Sequence, residues 1–236
     1  MRVAMIATQF RTAVGAALVS ILSTGSLAGQ QAPELAAFLM TDRAAEVALA
    51  RTAAPGAVSD SATVLVLTRT GYVEAVRGSN GFTCVVFRGF AASTSDPVFW
   101  NPRIRAPHCF NPPAVHSVLP AALQRATWLL SGLSPAELDQ RTRAAYASGA
   151  FALPSDGAMA YMLSPKQHLS DDDPHWMPHV MFYYNQSLAP RTWAAGGMSA
   201  PVIDASLPAD ATPINTLLIP VPQWSDGSPF VRRGHR

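Results

Sequence analysis

The sequence predicts an α+β fold, with a mostly antiparallel sheet and helices packed on one face. Three observations carry this. Short apolar β runs follow one another between 62 and 88, separated by turn residues. Two well-marked helices come next, and further strands follow them. Strands and helices are thus grouped instead of alternating as β-α-β, and grouped elements give segregated layers.

The first element is a helix within Pro33 to Ala54. Ala44, Val47, Ala48 and Arg51 recur at helical spacing, Thr41 or Asp42 can start or break it, and Pro55-Gly56 ends it. The β runs are Thr63 to Thr68, Tyr72 to Arg77 and Phe82 to Phe87. Thr70-Gly71 separates the first two, and Ser79-Asn80-Gly81 the second and third. Asn-Gly favours a type I′ hairpin, because both central residues tolerate positive φ. The three runs therefore read as a three-stranded antiparallel meander over about 62–88. The first and third are apolar on both faces, which suits strands covered on both sides.

From Ser93 to Pro113 the chain changes character. Asp96-Pro97, Phe99-Trp100-Asn101-Pro102, Arg103, Arg105, Ala106-Pro107-His108-Cys109 and Asn111-Pro112-Pro113 read as a long aromatic loop. Its prolines exclude a regular helix and argue against a central strand. Asn111 can cap a helix beginning at Pro112-Pro113, which Pro120 breaks or restarts. Ser134-Pro135-Ala136-Glu137 is a capping box opening a helix that stops at Gly149. Ala158 to Leu163, Val180 to Tyr184 and Thr216 to Val221 read as strands, and 185–213 as mostly loop.

The amino end carries Arg2 and Arg11, an apolar run from Thr12 to Leu22, and small residues at Ser26-Leu27-Ala28. That order is a secretory signal peptide over residues 1–28, too short and interrupted for a membrane span. The mature chain would be a single domain over 29–236, long enough to bury a core. The whole chain has 17 Lys+Arg against 15 Asp+Glu. Loss of Arg2 and Arg11 leaves it formally neutral, so no charge excess points to nucleic acid. No later segment is long enough for a transmembrane helix. The two cysteines, Cys84 and Cys109, suit one disulfide in an oxidising compartment, and there is no C-x-x-C for redox or zinc.

Strong catalytic motifs are missing. The chain has no H-E-x-x-H, G-x-S-x-G, P-loop or G-x-G-x-x-G. Two local constellations stand out instead. Asp171-Asp172-Asp173-Pro174-His175-Trp176-Met177-Pro178-His179 places carboxylates beside imidazoles, both ligands for a transition metal such as zinc, copper or iron. Asp173, His175 and His179 are the candidate ligands. His175 and His179 would lie roughly 13 Å apart in an extended chain, so a shared ion needs a turn between them. A histidine there, paired with Asp173 or Tyr161, also suits acid–base chemistry. A solvated Asp/Pro turn explains the same residues. The second constellation is Trp100, Arg103, Arg105 and His108. Arg offers a planar fork for an anion and Trp100 a stacking wall, a setting for a small ligand; pairing of Arg103 and Arg105 with surface acids and packing of Trp100 in the core is the simpler account of the same residues. Ser164-Pro165-Lys166 lacks the reach of a Ser–Lys dyad.

Several segments together resemble a group of exported bacterial proteins of unassigned function. They are Asn80-Gly81-Phe82-Thr83-Cys84, Phe99 to Pro102, Arg105 to Asn111, Gly157 to Met162 and His175 to Phe182. The resemblance spans most of the mature chain. It implies a periplasmic or envelope setting and carries no catalytic residues. Two functions are then open. One is a non-catalytic binding or accessory module, with a small ligand or an envelope protein as partner. The other is a metal protein or hydrolase-type enzyme around His175 and His179, helped by Asp173, Tyr161 and His108.

Overall fold

A computed structural model describes residues 34–172, 176–187, 202–205 and 211–231. The expected signal peptide, and with it the site of cleavage, lies outside the described residues. Eight strands form one sheet: β1 (Thr63–Thr68), β2 (Gly71–Val76), β3 (Thr83–Phe87), β4 (Ala106–Phe110), β5 (Met159–Met162), β6 (His179–Asn185), β7 (Ile203–Asp204) and β8 (Ile214–Pro220). Their order is β2-β1-β3-β4-β5-β6-β8-β7. Every adjacent pair is antiparallel except β1 and β3, so the α+β class and the mostly antiparallel sheet are as the sequence predicts.

The helices are α1 (Arg43–Arg51), α2 (Gly56–Ser59), α3 (Pro112–Ser117), α4 (Leu119–Leu130) and α5 (Pro135–Ala147). Their starts follow the local chemistry. The Asp42 carboxylate accepts from the amides of Ala44 and Ala45 at 2.8 and 3.1 Å, which breaks the expected 33–54 helix and begins α1 afresh. Before it, Leu35–Phe38 is a short 3₁₀ turn. Asn111 caps α3 through the Ala114 amide. Pro120 sits in the first turn of α4, where its missing N–H costs nothing. Ser134 and Glu137 complete the capping box of α5.

Three features differ from the sequence expectation. First, the three runs at 62–88 are not a meander. β2 pairs with β1, but β3 lies on the far side of β1 and parallel to it. The Asn80-Gly81 turn is therefore a crossover beneath the start of β1, not a hairpin. Backbone groups of β1 recruit it: the Ser61 carbonyl accepts from Ser79, and Thr63 N–H donates to the Phe82 carbonyl. Gly78 donates to Thr63 Oγ1 at 3.0 Å, and Asn80 Nδ2 donates to the Val58 carbonyl at 2.7 Å.

Second, helices cover both faces of the sheet, not one. On one face, Ala50, Ala53 and Ala54 of α1 and its exit pack on Val64, Cys84, Val86 and Cys109. On the other, Ala114 and Leu119 pack with Val85, Phe87 and Phe110. This is why β1 and β3 are apolar on both sides, and why all five residues of β3 are buried.

Third, Ala106-Pro107-His108-Cys109-Phe110 is the central strand β4 and not part of a loop. Cys109 and Asn111 aim their amides at β5, since Asn111 N–H donates to the Met159 carbonyl. Pro107 points the same way by alternation. β5 pairs with β4 only at Cys109 and Phe110, and Arg105 exchanges both backbone bonds with His168. Pro107 falls in the gap between those contacts, so its missing donor leaves no ladder bond unmade.

The predicted disulfide is present. Cys84 and Cys109 lie directly opposite in the β3–β4 register, both wholly buried, and are bonded to each other. No helix among the described residues is long and apolar enough to cross a membrane.

Candidate functional site

A cavity of about 370 Å³ lies between the sheet and α4. Its floor is built from alternate residues of neighbouring strands, which share one face because strand side chains repeat every two residues. Phe87 of β3, His108 and Phe110 of β4, Met162 of β5, and Met181 and Tyr183 of β6 all present to it. Val118, Ala121, Ala122 and Arg125 of the α4 segment form the roof, with Tyr146 of α5 at one side. Small residues at 121 and 122 leave the space that bulkier ones would fill. A shallower groove of about 410 Å³ shares Tyr146 and Thr212 with the cavity and adds Arg143, Asn185 and Gln186. Those two shared residues mark where the chambers adjoin.

The polar groups in this cavity are few and specifically placed. His108 Nδ1 lies 2.8 Å from the carbonyl of its own strand neighbour Ala106. A carbonyl only accepts, so Nδ1 carries the proton and Nε2 holds a lone pair. Among the described residues Nε2 has no hydrogen-bond partner. Burial pushes the imidazole down to about pKa 4, the Ala106 bond opposing that shift and nearby His179 adding to it. At neutral pH this is a neutral acceptor. The His108 ring packs against Phe87 at 5.1 Å and stacks on Phe110 at 5.7 Å, and Phe110 stacks in turn on Tyr183 at 6.1 Å. Tyr183 is buried, and burial raises its phenol well above the ordinary value. Its hydroxyl is 3.9 Å from the Met181 sulfur, a weak acceptor.

The charged groups on the wall are already engaged. Arg88 is sealed, with Nη2 on Glu46 Oε1 at 2.7 Å, Nε on the Phe38 carbonyl at 2.7 Å, and Nη1 on the Val86 carbonyl. Arg125 donates to Thr142 Oγ1 at 2.8 Å and lies 4.0 Å from Asp139. No Asp, Glu, Ser, Cys or Lys lines the cavity among the described residues.

The four residues expected to form one ligand site are dispersed. Only His108 reaches the cavity. Trp100 packs edge-on against Phe99 at 4.7 Å in the cluster with Phe38, Phe90 and Leu138. Arg103 is exposed and pairs with Asp171, whose carboxylate also takes Asn101 Nδ2 at 2.9 Å and sits 3.0 Å from His168 Nε2. Those partners, His168 first, hold Asp171 below the usual carboxylate range. Arg105 turns back on its own loop, donating to the carbonyls of Pro102 and Ile104, both at 2.7 Å. Desolvation, with Arg88 nearby, lowers its pKa to about 10.

Of the candidate metal ligands, Asp173 and His175 lie outside the described residues. His179 is buried beneath Trp176, ring to ring at 4.7 Å, with Nδ1 on the Met177 carbonyl at 2.9 Å. Burial pushes it, too, down to about pKa 4. It shares the His108 face of the sheet, but β5 lies between them, which puts the two backbones roughly 10 Å apart. Tyr161 is on the opposite face, opposite Cys109 and stacked on Phe82 at 6.4 Å. Among the described residues no three His, Cys, Asp or Glu side chains are grouped to hold a metal. Ser164 is buried, bonded to Thr52 Oγ1 at 2.6 Å and accepting from the Lys166 amide at 3.1 Å, so it serves as a local tie.

Phe110 joins His108 from the same strand, and Tyr183, Arg125 and Tyr146 join it from three other places in the chain. The signal for Tyr183 is present in the sequence as the period-2 set His179, Met181, Tyr183, which shares a strand face. Searches against protein-family models, curated proteins and solved structures find no match to this chain.

Proposed function

We propose that this protein is a non-catalytic binding module that holds a small, mostly apolar molecule between its sheet and α4. The observation that carries this reading is the cavity itself: about 370 Å³, walled by aromatic, Met and Ala side chains, with a few fixed polar groups. That is the composition of a small-molecule site. A cavity of about 150 Å³ already takes benzene, so this one has room for a ligand of roughly ten to fifteen heavy atoms. The chemistry of the walls favours binding over turnover. Among the described residues no Ser, Cys, Lys or carboxylate lines the space, its hydroxyls being those of Thr212, Thr216 and the two tyrosines, and an imidazole with a pKa near 4 is a poor general base at neutral pH. An exported, periplasmic or envelope setting is supported by the buried Cys84–Cys109 bridge, which suits an oxidising compartment, and by the signal-like amino end.

Thermal shift with propylbenzene, a wholly apolar probe, tests the reading. At ten times Kd a ligand adds about 1.4 kcal/mol, which should raise Tm by roughly 3–6 °C. Ala122→Trp, which puts an indole into the space from α4, should abolish the shift. No shift in the native protein, or a shift unchanged in Ala122→Trp, would overturn the cavity as the binding site.

A further inference from the structure

The geometry points to a ligand class: a neutral molecule bearing a hydroxyl or N–H donor, which it gives to His108 Nε2 at the cavity floor. This rests on the cavity reading above and goes beyond it by naming what the ligand must carry.

His108 Nδ1 is committed to the Ala106 carbonyl, so the nitrogen left over can only accept. The ring cannot swing to another partner, because Phe87 and Phe110 hold it on two sides. His108 lines the cavity as a half-buried side chain, and no described residue is bonded to its Nε2. A ligand hydroxyl, phenol, indole or amide N–H would supply the donor.

Charge excludes the alternatives. A carboxylate would present lone pairs to a lone pair. The arginines on the wall are taken up by Glu46 and by Thr142 with Asp139, so an anion would have to displace them. An ammonium group could donate to Nε2 but would meet no carboxylate among the described residues of the lining. A neutral donor is what remains. Tyr183 supplies the complementary function. Its hydroxyl, beyond the Phe110 ring, is bonded to a thioether at 3.9 Å and can turn to donate to an acceptor on the ligand. An alcohol or phenol is both donor and acceptor and fits either end.

The test compares 4-propylphenol with propylbenzene, by calorimetry, in the native protein and in His108→Phe. Phenylalanine keeps a ring between Phe87 and Phe110 and removes the acceptor. The ratio of the propylbenzene Kd to the 4-propylphenol Kd should fall about tenfold in the variant, while propylbenzene affinity stays within about threefold. An unchanged ratio, with both probes bound, overturns the donor requirement and leaves the cavity reading standing. Failure of both probes to bind the native protein overturns both. Should His108→Phe not fold, ¹⁵N NMR of the native imidazole decides. The His108 Nε2 resonance should move upfield with 4-propylphenol and stay in place with propylbenzene; no movement with either bound probe counts against the inference.

Discussion

Glu46 and Arg88 are 42 residues apart in sequence, yet Glu46 Oε1 and Arg88 Nη2 are 2.7 Å apart with both side chains sealed from solvent. The pair ties four segments together. Glu46 comes from α1 and also accepts from the Leu67 amide of β1 at 3.1 Å. Arg88, at the end of β3, donates as well to the carbonyls of Phe38 and Val86. The fold thus closes its amino-terminal segment onto the sheet through one guanidinium.

Removing one partner of such a pair strands a buried charge. Glu46→Leu should cost about 3–5 kcal/mol, read from urea denaturation. Glu46→Leu with Arg88→Met should recover part of that loss, because the stranded charge goes, but not all of it, because the Phe38 carbonyl loses the Arg88 donor and the Leu67 amide loses the Glu46 acceptor. A single-variant loss under about 1 kcal/mol would show that the pair is not sealed.

The Cys84–Cys109 bridge closes a loop with a sequence separation of 25. By chain-entropy reckoning this contributes about 3.5 kcal/mol through the unfolded state. Cys84→Ala with Cys109→Ala should lower stability by about that amount while β3 and β4 remain paired by their own register. Thiol titration under denaturant should find no free thiol before reduction. Two free thiols would refute the bridge.

What the sequence makes legible is local. Helix starts depend on residues within four positions, so Asp42, Asn111, Pro120 and Ser134 with Glu137 are readable in advance. Strand positions are readable from β-branched and apolar runs. Strand partners are not. Asn80-Gly81 serves a hairpin and a crossover equally well, and the choice is made by Ser61 and Thr63, which accept and donate across the gap. Pro107 argues against a central strand until its position between the β5 pairing and the Arg105–His168 bridge is known. The site is harder still. His108 stands out beside Arg103 and Arg105 in sequence, but alternation sends its ring to the cavity face, while the exposed pairing with Asp171 draws Arg103 outward. The cavity exists because strands drawn from both halves of the chain meet under α4, a coincidence with no local mark.

Gly78 is where the crossover is tightest. A Cβ there would lie 2.1 Å from the Thr63 amide nitrogen and 2.3 Å from the Ala62 carbonyl carbon, both backbone atoms that cannot step aside. Gly78→Ala should therefore cost about 3 kcal/mol or more, at or beyond the upper end of overpacking. Gly149, at φ +76 with nothing near its missing Cβ, offers the comparison. Gly149→Ala should cost only the left-handed strain of about 1–2 kcal/mol. Equal losses in the two variants would mean that the loop does not cross β1 this closely.

His108 should make stability depend on pH in a defined window. Its folded pKa is about 4, against about 6.5 unfolded. Above pH 6.5 both states hold the ring neutral, and its contribution is complete. Between 6.5 and 4 the unfolded chain binds the proton and the folded one does not, so stability falls as pH drops, by up to about 1.4 kcal/mol per unit. Below 4 both states are protonated and the fall ends, for a total of up to roughly 3 kcal/mol. His179 shifts in the same direction, so the native profile alone mixes the two. The clean measurement is the stability difference between the native protein and His108→Phe from pH 4 to 8. That difference should be flat above 6.5 and should move steadily in favour of the variant as pH falls toward 4. A flat difference across the whole range would mean that the His108 ring is solvated, and that the floor of the cavity is not the dry, neutral acceptor on which the ligand class depends.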